Sequence, residues 1–110
     1  MEITPKRIEI YVTEDGRIPF LDWLNSLKDV KGRAKIRVRI DRLSVGNFGD
    51  CRAIGSGVYE LRIDYGPGYR VYFGQASSDI MLLLCAGDKD SQKADLKKAL
   101  LYWEDFRRDV

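Results

Sequence analysis

The stretch that decides the fold is Val58-Tyr59-Glu60-Leu61-Arg62-Ile63-Asp64-Tyr65, the turn Gly66-Pro67-Gly68, and Tyr69-Arg70-Val71-Tyr72-Phe73-Gly74-Gln75. Its first segment alternates. Tyr59, Leu61, Ile63 and Tyr65 share one face, and Glu60, Arg62 and Asp64 the other, because successive strand side chains point to opposite sides. Gly-Pro-Gly is a turn signal, so the two segments read as a β-hairpin. A three-residue turn sets Tyr65 opposite Tyr69, Asp64 opposite Arg70 and Arg62 opposite Tyr72. Arg62 and Arg70 are then diagonal neighbours on the polar face, while Val71 and Phe73 join Leu61 and Ile63 on the apolar one.

Working outward, Ile80 to Ala86 is apolar at every position, the pattern of a strand buried on both faces at the centre of a sheet. Gly87 to Ser91 ends it, and Asp90 or Ser91 can cap a helix that carries Ala94, Leu96, Ala99, Leu100 and Trp103 to about Phe106. Upstream, Arg7 to Thr13 reads as a strand and Glu14-Asp15-Gly16-Arg17 as a turn. Pro19 opens a helix running to Leu27. Arg33 to Leu43 fits both periods; its length and its uninterrupted stripe of Ile36, Ile40 and Leu43 favour a helix. Leu43 to Gly57, with Gly46, Gly49, Gly55 and Gly57, reads as a loop. The order β-α-α-β-β-β-α describes one α+β domain over residues 1–110.

The chain has 110 residues, 45% of them hydrophobic and 33% charged, a composition that can bury a core. The longest uncharged apolar run is Ile80–Ala86, far short of the about 20 residues of a membrane span. Met1-Glu2-Ile3-Thr4-Pro5 lacks the basic-then-apolar order of a secretory leader, so a cytoplasmic location is expected, with Cys51 and Cys85 as free thiols. The absence of histidine excludes Ser-His-Asp and Cys-His catalysis, and two distant cysteines cannot build a structural zinc site. No metal or cofactor is expected. Net charge is only +2, but it is unevenly spread. Nine Lys and Arg against four Asp and Glu fall in residues 31–74, and six of those cations lie between Lys31 and Arg42. Lys35 and Arg39 lie on a basic stripe of the second helix, and such a local field can attract phosphates; charge runs also serve simply as solvated faces.

Three cations sit where chemistry could use them: Arg62 on the polar strand face, Arg70 just after the turn, and Lys89 in the loop leaving the apolar strand. Two arginines side by side repel unless an anion lies between them. That anion can be external, since the planar guanidinium fork matches phosphate, or internal, with Arg62 pairing Glu60 or Asp64 and Arg70 pairing Asp64. The segments VYELRI, GYRVYF and GDKDSQKAD together resemble the RelE/ParE toxin superfamily, and within it the HigB-like branch called addiction module killer proteins, over Val58 to Trp103.

The resemblance implies a small twisted, mainly antiparallel RelE-like sheet with two N-terminal helices and a C-terminal one. It implies a toxin of a type II toxin–antitoxin pair, acting as an mRNA endoribonuclease, on the ribosome in many members. A cognate antitoxin, of helix-turn-helix type, is the expected partner, with mRNA and the ribosome as targets. Arg62, Arg70 and Lys89 align with the basic positions of the nuclease members. Asp95 stands where some members carry a tyrosine or histidine, with Lys93 beside it, a departure that leaves the general base unassigned.

In RNA cleavage a 2′-hydroxyl attacks the adjacent phosphorus and negative charge gathers on the non-bridging oxygens. Arg62 and Arg70 are placed to hold those oxygens, and Lys89 to serve the leaving 5′-oxygen. Glu60, Asp64 and Asp88 are the candidate bases. Tyr69 and Tyr72 are candidate stacking surfaces, with Lys35, Arg39 and Lys93 as further RNA contacts. The competing readings are a DNA gyrase inhibitor, which needs no phosphate clamp, and an inactive binding module.

Overall fold

A computed structural model describes residues 5–108. The segment Met1–Thr4, read above as unlike a leader, lies outside the described residues. The elements are β1 (Arg7–Ile10), α1 (Pro19–Ser26), α2 (Val30–Ser44), β2 (Cys51–Gly55), β3 (Val58–Ile63), β4 (Tyr69–Ser77), β5 (Ile80–Asp88) and α3 (Gln92–Arg108). They form a five-stranded mixed sheet in the order β1-β5-β4-β3-β2. β1 runs parallel to β5 and the other neighbours are antiparallel. The architecture is α+β and compatible with a small RelE-like fold.

The periods seen in the sequence place the layers. α1 and α2 pack on one sheet face, where Phe20, Leu24, Ile36 and Leu43 meet Leu61, Ile63, Val71, Phe73, Met81 and Leu83. α3 packs on the other, where Ala99 and Trp103 meet Val58, Tyr72, Leu82, Leu84 and Cys85. β5 is therefore covered on both sides, as its unbroken apolar run requires. The ambiguous segment is a helix: Asp29 caps it by accepting from the Gly32 N–H at 2.9 Å, and Ile36 and Leu43 are fully buried. Both cysteines are free thiols, Cys85 buried and Cys51 half-buried. No helix among the described residues is long and apolar enough to cross a membrane.

Two expectations fail. The span Leu43 to Gly57 is not all loop, because Cys51–Gly55 forms β2 along the outer edge of β3. The glycines mark the turn into β3 and the irregularity after Ala53, not the absence of a strand. An edge strand with one partner needs only a backbone ladder, so its side chains carry little pattern. The hairpin register also differs. Arg62 stands directly opposite Arg70, Ile63 opposite Tyr69 and Glu60 opposite Tyr72. The expected register would have put Glu60 opposite Gly74, and Trp103 occupies the space above that glycine. The connecting loop is longer than three residues, and Tyr65 leaves the ladder to lie under Lys35 of α2. A slip of two residues preserves the faces, so the assignment of each side chain to its side holds.

Gly74 must lack a side chain. A Cβ there would sit 2.3 Å from Trp103 Cε3 and Cζ3. Trp103 cannot retreat easily, since its Nε1–H donates to the Ser56 carbonyl at 2.6 Å and its ring stacks on Phe106 at 5.7 Å. Gly74→Ala should therefore lower stability by about 1–3 kcal/mol through overpacking, read as a lower urea midpoint with altered tryptophan fluorescence.

Candidate functional site

The polar face of β3 and β4 carries one deeply buried charge. Glu60 has no exposed surface, yet it sits among cations. Its Oε1 accepts from Arg52 Nε at 3.0 Å and from Arg62 Nε at 3.2 Å. Its Oε2 accepts from the Tyr72 hydroxyl and from Gln92 Nε2, each at 3.0 Å, and lies 3.7 Å from Arg70 Nε. Four elements converge here. β2 brings Arg52 opposite Glu60, β4 brings Tyr72 opposite Glu60 and Arg70 opposite Arg62, and α3 contributes its first residue.

A buried carboxylate without donors would be very costly, and this one is held by several. Burial alone would raise its pKa, but the hydrogen bonds from Gln92, Arg62, Tyr72 and Arg52 outweigh that and hold it below the ordinary glutamate value. Burial and the Glu60 charge push the Tyr72 phenol strongly up, so it stays a donor. The arrangement is one anion inside and three guanidiniums around it, with Arg52 and Arg62 at 49% and 40% exposure and Arg70 at 13%. Among the described residues, the terminal Nη groups of Arg52 and Arg62 donate no hydrogen bond, and the buried Arg70 Nε has no hydrogen-bond partner.

The loop from β5 to α3 closes one end of the cluster. The Asp88 carboxylate accepts from the Asp90 and Ser91 N–H groups at 2.9 and 3.2 Å. Ser91 in turn donates to buried Asp95. Gly87 makes room for this, since a Cβ there would fall 1.8 Å from Asp95 Oδ2. Asp95 is thus packed into the helix start and not presented to a substrate. Lys89 is exposed, and its Cβ lies 3.7 Å from where a Cβ of Gly68 would stand, at the turn that leads into Arg70. Lys93 is exposed on the first turn of α3.

Arg62 and Arg70 are thus brought together, with Lys89 at the same end of the hairpin. The anion between the arginines is internal: Glu60 takes both, and Asp64 takes neither. Tyr72 is fully buried, and Tyr69 lies on the other sheet face, donating to Asp29 at 2.7 Å with Trp23 against its ring. Burial and the Asp29 hydrogen bond push the Tyr69 phenol up to about 12. Neither ring is open for base stacking. Lys35 and Arg39 also belong to the opposite face, where Arg39 donates to the carbonyls of Arg62, Phe48 and Asp50 and ties α2 to the sheet. Glu60 and Asp88 are engaged as described, and exposed Asp64 borders α2, so none of the three candidate bases is free on the arginine face. Arg52 and Gln92 were not singled out from sequence. Arg52 sits in the segment read as loop, and Gln92 carries no charge pattern to mark it.

Glu60→Gln keeps the shape and removes the charge. Its cost should be about 2 kcal/mol, below the roughly 3–5 kcal/mol of a fully buried broken pair, because Arg52 and Arg62 can rehydrate. The depressed Glu60 pKa makes its stabilisation complete above the unfolded value near 4.5 and lost as pH falls through the folded value. Urea midpoints should therefore drop more steeply on acidification in the native protein than in Glu60→Gln.

The family model for phage-derived Gp49-like proteins (DUF891) matches residues 22–101. An uncharacterized protein of Haemophilus influenzae (strain ATCC 51907 / DSM 11121 / KW20 / Rd) is 48% identical over 84 residues, covering 76% of this chain and 85% of that protein. The match takes in nearly all of the Val58–Trp103 segment behind the HigB-like resemblance and assigns it to a different family, so the HigB-like placement is corrected. The arginine-lined hairpin, the loop that supports it and most of both helical layers fall within residues 22–101, and the chain belongs to the Gp49-like family of phage-derived proteins.

Proposed function

We propose that this chain is the toxin of a toxin–antitoxin pair and that its arginine face holds messenger RNA for cleavage. Membership of the Gp49-like family suggests a toxin–antitoxin module. The observation that carries the finer reading is the gathering of Arg52, Arg62 and Arg70 on one internal carboxylate. Glu60 fixes the Nε side of Arg52 and Arg62, and their terminal nitrogens remain to meet an external phosphate. Preset donors of this kind lose little freedom on binding and favour a state in which charge accumulates on phosphate oxygens.

In this reading the RNA 2′-hydroxyl attacks its own phosphorus, and the arginines hold the non-bridging oxygens as charge builds. Lys89 serves the leaving 5′-oxygen. With the three candidate carboxylates engaged or remote, the chain contributes charge stabilisation and alignment, and the ribosome completes the positioning. A cognate antitoxin of helix-turn-helix type would neutralise the protein. The same lack of a free base favours a second reading, in which the face binds RNA without cutting it.

Controlled expression in bacteria with primer extension on several transcripts separates these readings. Growth arrest with discrete new RNA ends is expected, and Arg62→Ala or Arg70→Ala should reduce cleavage by about 100-fold or more. Arg70→Lys should restore little, since an ammonium lacks the fork. Arrest with intact RNA would replace this reading with another target, such as DNA gyrase, and cleavage unaffected by both alanine variants would remove the arginine face from the mechanism.

A further inference from the structure

The side chains gathered on Glu60 are nearly all donors. Arg52, Arg62 and Arg70 bring guanidiniums, and the Tyr72 hydroxyl is turned inward to Glu60 Oε2 at 3.0 Å. Gln92 differs, because a carboxamide carries both donors and an acceptor. Its Nε2 lies 3.0 Å from Glu60 Oε2. Glu60 is held as a carboxylate, with lone pairs and no proton to give, so the amide must turn its NH2 toward Glu60 and its carbonyl away. The backbone fixes where that amide stands. The Asp88 carboxylate caps the first turn of α3 through the Asp90 and Ser91 N–H groups, and the Asp95 N–H donates to the Ser91 carbonyl at 2.9 Å. Gln92 is half-buried, and nothing among the described residues donates to its Oε1, which is not sealed from water. Glu60 and Tyr72 have no exposed surface, so Gln92 Oε1 is the one side-chain acceptor that this cluster offers to a ligand.

A phosphodiester has no proton to donate and cannot use that acceptor. A base can use it when it carries an exocyclic amino group, which projects N–H donors from the ring edge. Adenine, cytosine and guanine carry one. Uracil has none, and its N3–H is recessed between two carbonyls. On the reading that the arginine face holds RNA, we infer that Gln92 is a specificity-determining residue of that face. Its carbonyl accepts from the exocyclic amino group of a base and favours adenine, cytosine or guanine over uracil at one nucleotide of the bound strand. The amide is oriented before the ligand arrives, so the contact costs little side-chain freedom. It is a neutral hydrogen bond at a site that water reaches, which corresponds to about fivefold in affinity.

The test measures equilibrium binding of the full chain to two short 2′-O-methyl oligonucleotides, which lack the attacking hydroxyl and stay intact. One is oligocytidylate. The other carries pyrimidin-2-one at every position, which is cytosine without its amino group. The native chain is expected to bind oligocytidylate about fivefold more tightly. Gln92→Met keeps the length of the side chain and removes the amide, and it should abolish the difference by weakening oligocytidylate alone. Loss of a Glu60 donor that merely disturbed the arginines would weaken both oligonucleotides and keep their ratio. A ratio unchanged in Gln92→Met would therefore overturn the inference. Equal binding of the two by the native chain would overturn it as well, while leaving the arginine face as an RNA surface. Arg62→Ala should weaken both alike, since phosphate contacts do not read the base. Failure of both to bind, or binding that survives Arg62→Ala, would overturn the reading of the arginine face and this inference with it.

Discussion

Glu60 is a carboxylate without exposed surface, and much of the sheet is arranged to supply its donors. Desolvating a carboxylate costs several kcal/mol unless hydrogen bonds replace the lost water. Here Arg52, Arg62, Tyr72 and Gln92 replace it, from two neighbouring strands, the same strand and the first turn of α3. That requirement bears on the hairpin register. A shift of two residues would keep every face correct but move Glu60 beneath Trp103 and away from the Tyr72 hydroxyl. It also gives β2 a reason to be a strand, because pairing with β3 is what brings Arg52 across from Glu60.

The sheet separates two kinds of surface. On the α1/α2 side the hairpin residues Leu61, Ile63, Tyr69, Val71 and Phe73 are sealed in a core. On the α3 side the helix covers Val58, Tyr72 and Gly74, while Arg52 and Arg62 reach water next to its first turn. Charge that would be costly under a helix is tolerated at this margin, where one end of each guanidinium is hydrated and the other is pinned. A pinned, half-wet arginine suits an external anion better than a freely moving one, since less side-chain freedom remains to be lost on binding.

The basic stripe of α2 has a different character. Its lysines are not organised by a buried anion, and an exposed valine runs between them. The positive middle third of the chain is therefore two surfaces on opposite sides of the sheet, one organised around an internal carboxylate and one around an apolar strip. A charge count along the sequence adds them together because it carries no information on which side each residue lies.

Much was legible from local periodicity. Alternation in Val58–Tyr65 assigns side chains to sheet faces, the unbroken apolar run of Ile80–Ala86 marks the doubly covered strand, and three- and four-residue spacing marks the helices, because these periods follow from backbone geometry alone. Arg62, Arg70 and Lys89 could be singled out, and Glu60 was visible as one of several partners. The sequence by itself thus determined the elements, the faces and the charge types available. Tertiary structure decided that Cys51–Gly55 is a strand, that Arg62 faces Arg70 directly, that Arg52 and Gln92 join the cluster, and that Tyr69 and Tyr72 are enclosed. Each of those depends on which segment lies across from which: Tyr72 and Gln92 on Glu60, Trp103 on Gly74, and Asp29 and Trp23 on Tyr69 are contacts between residues far apart in the chain.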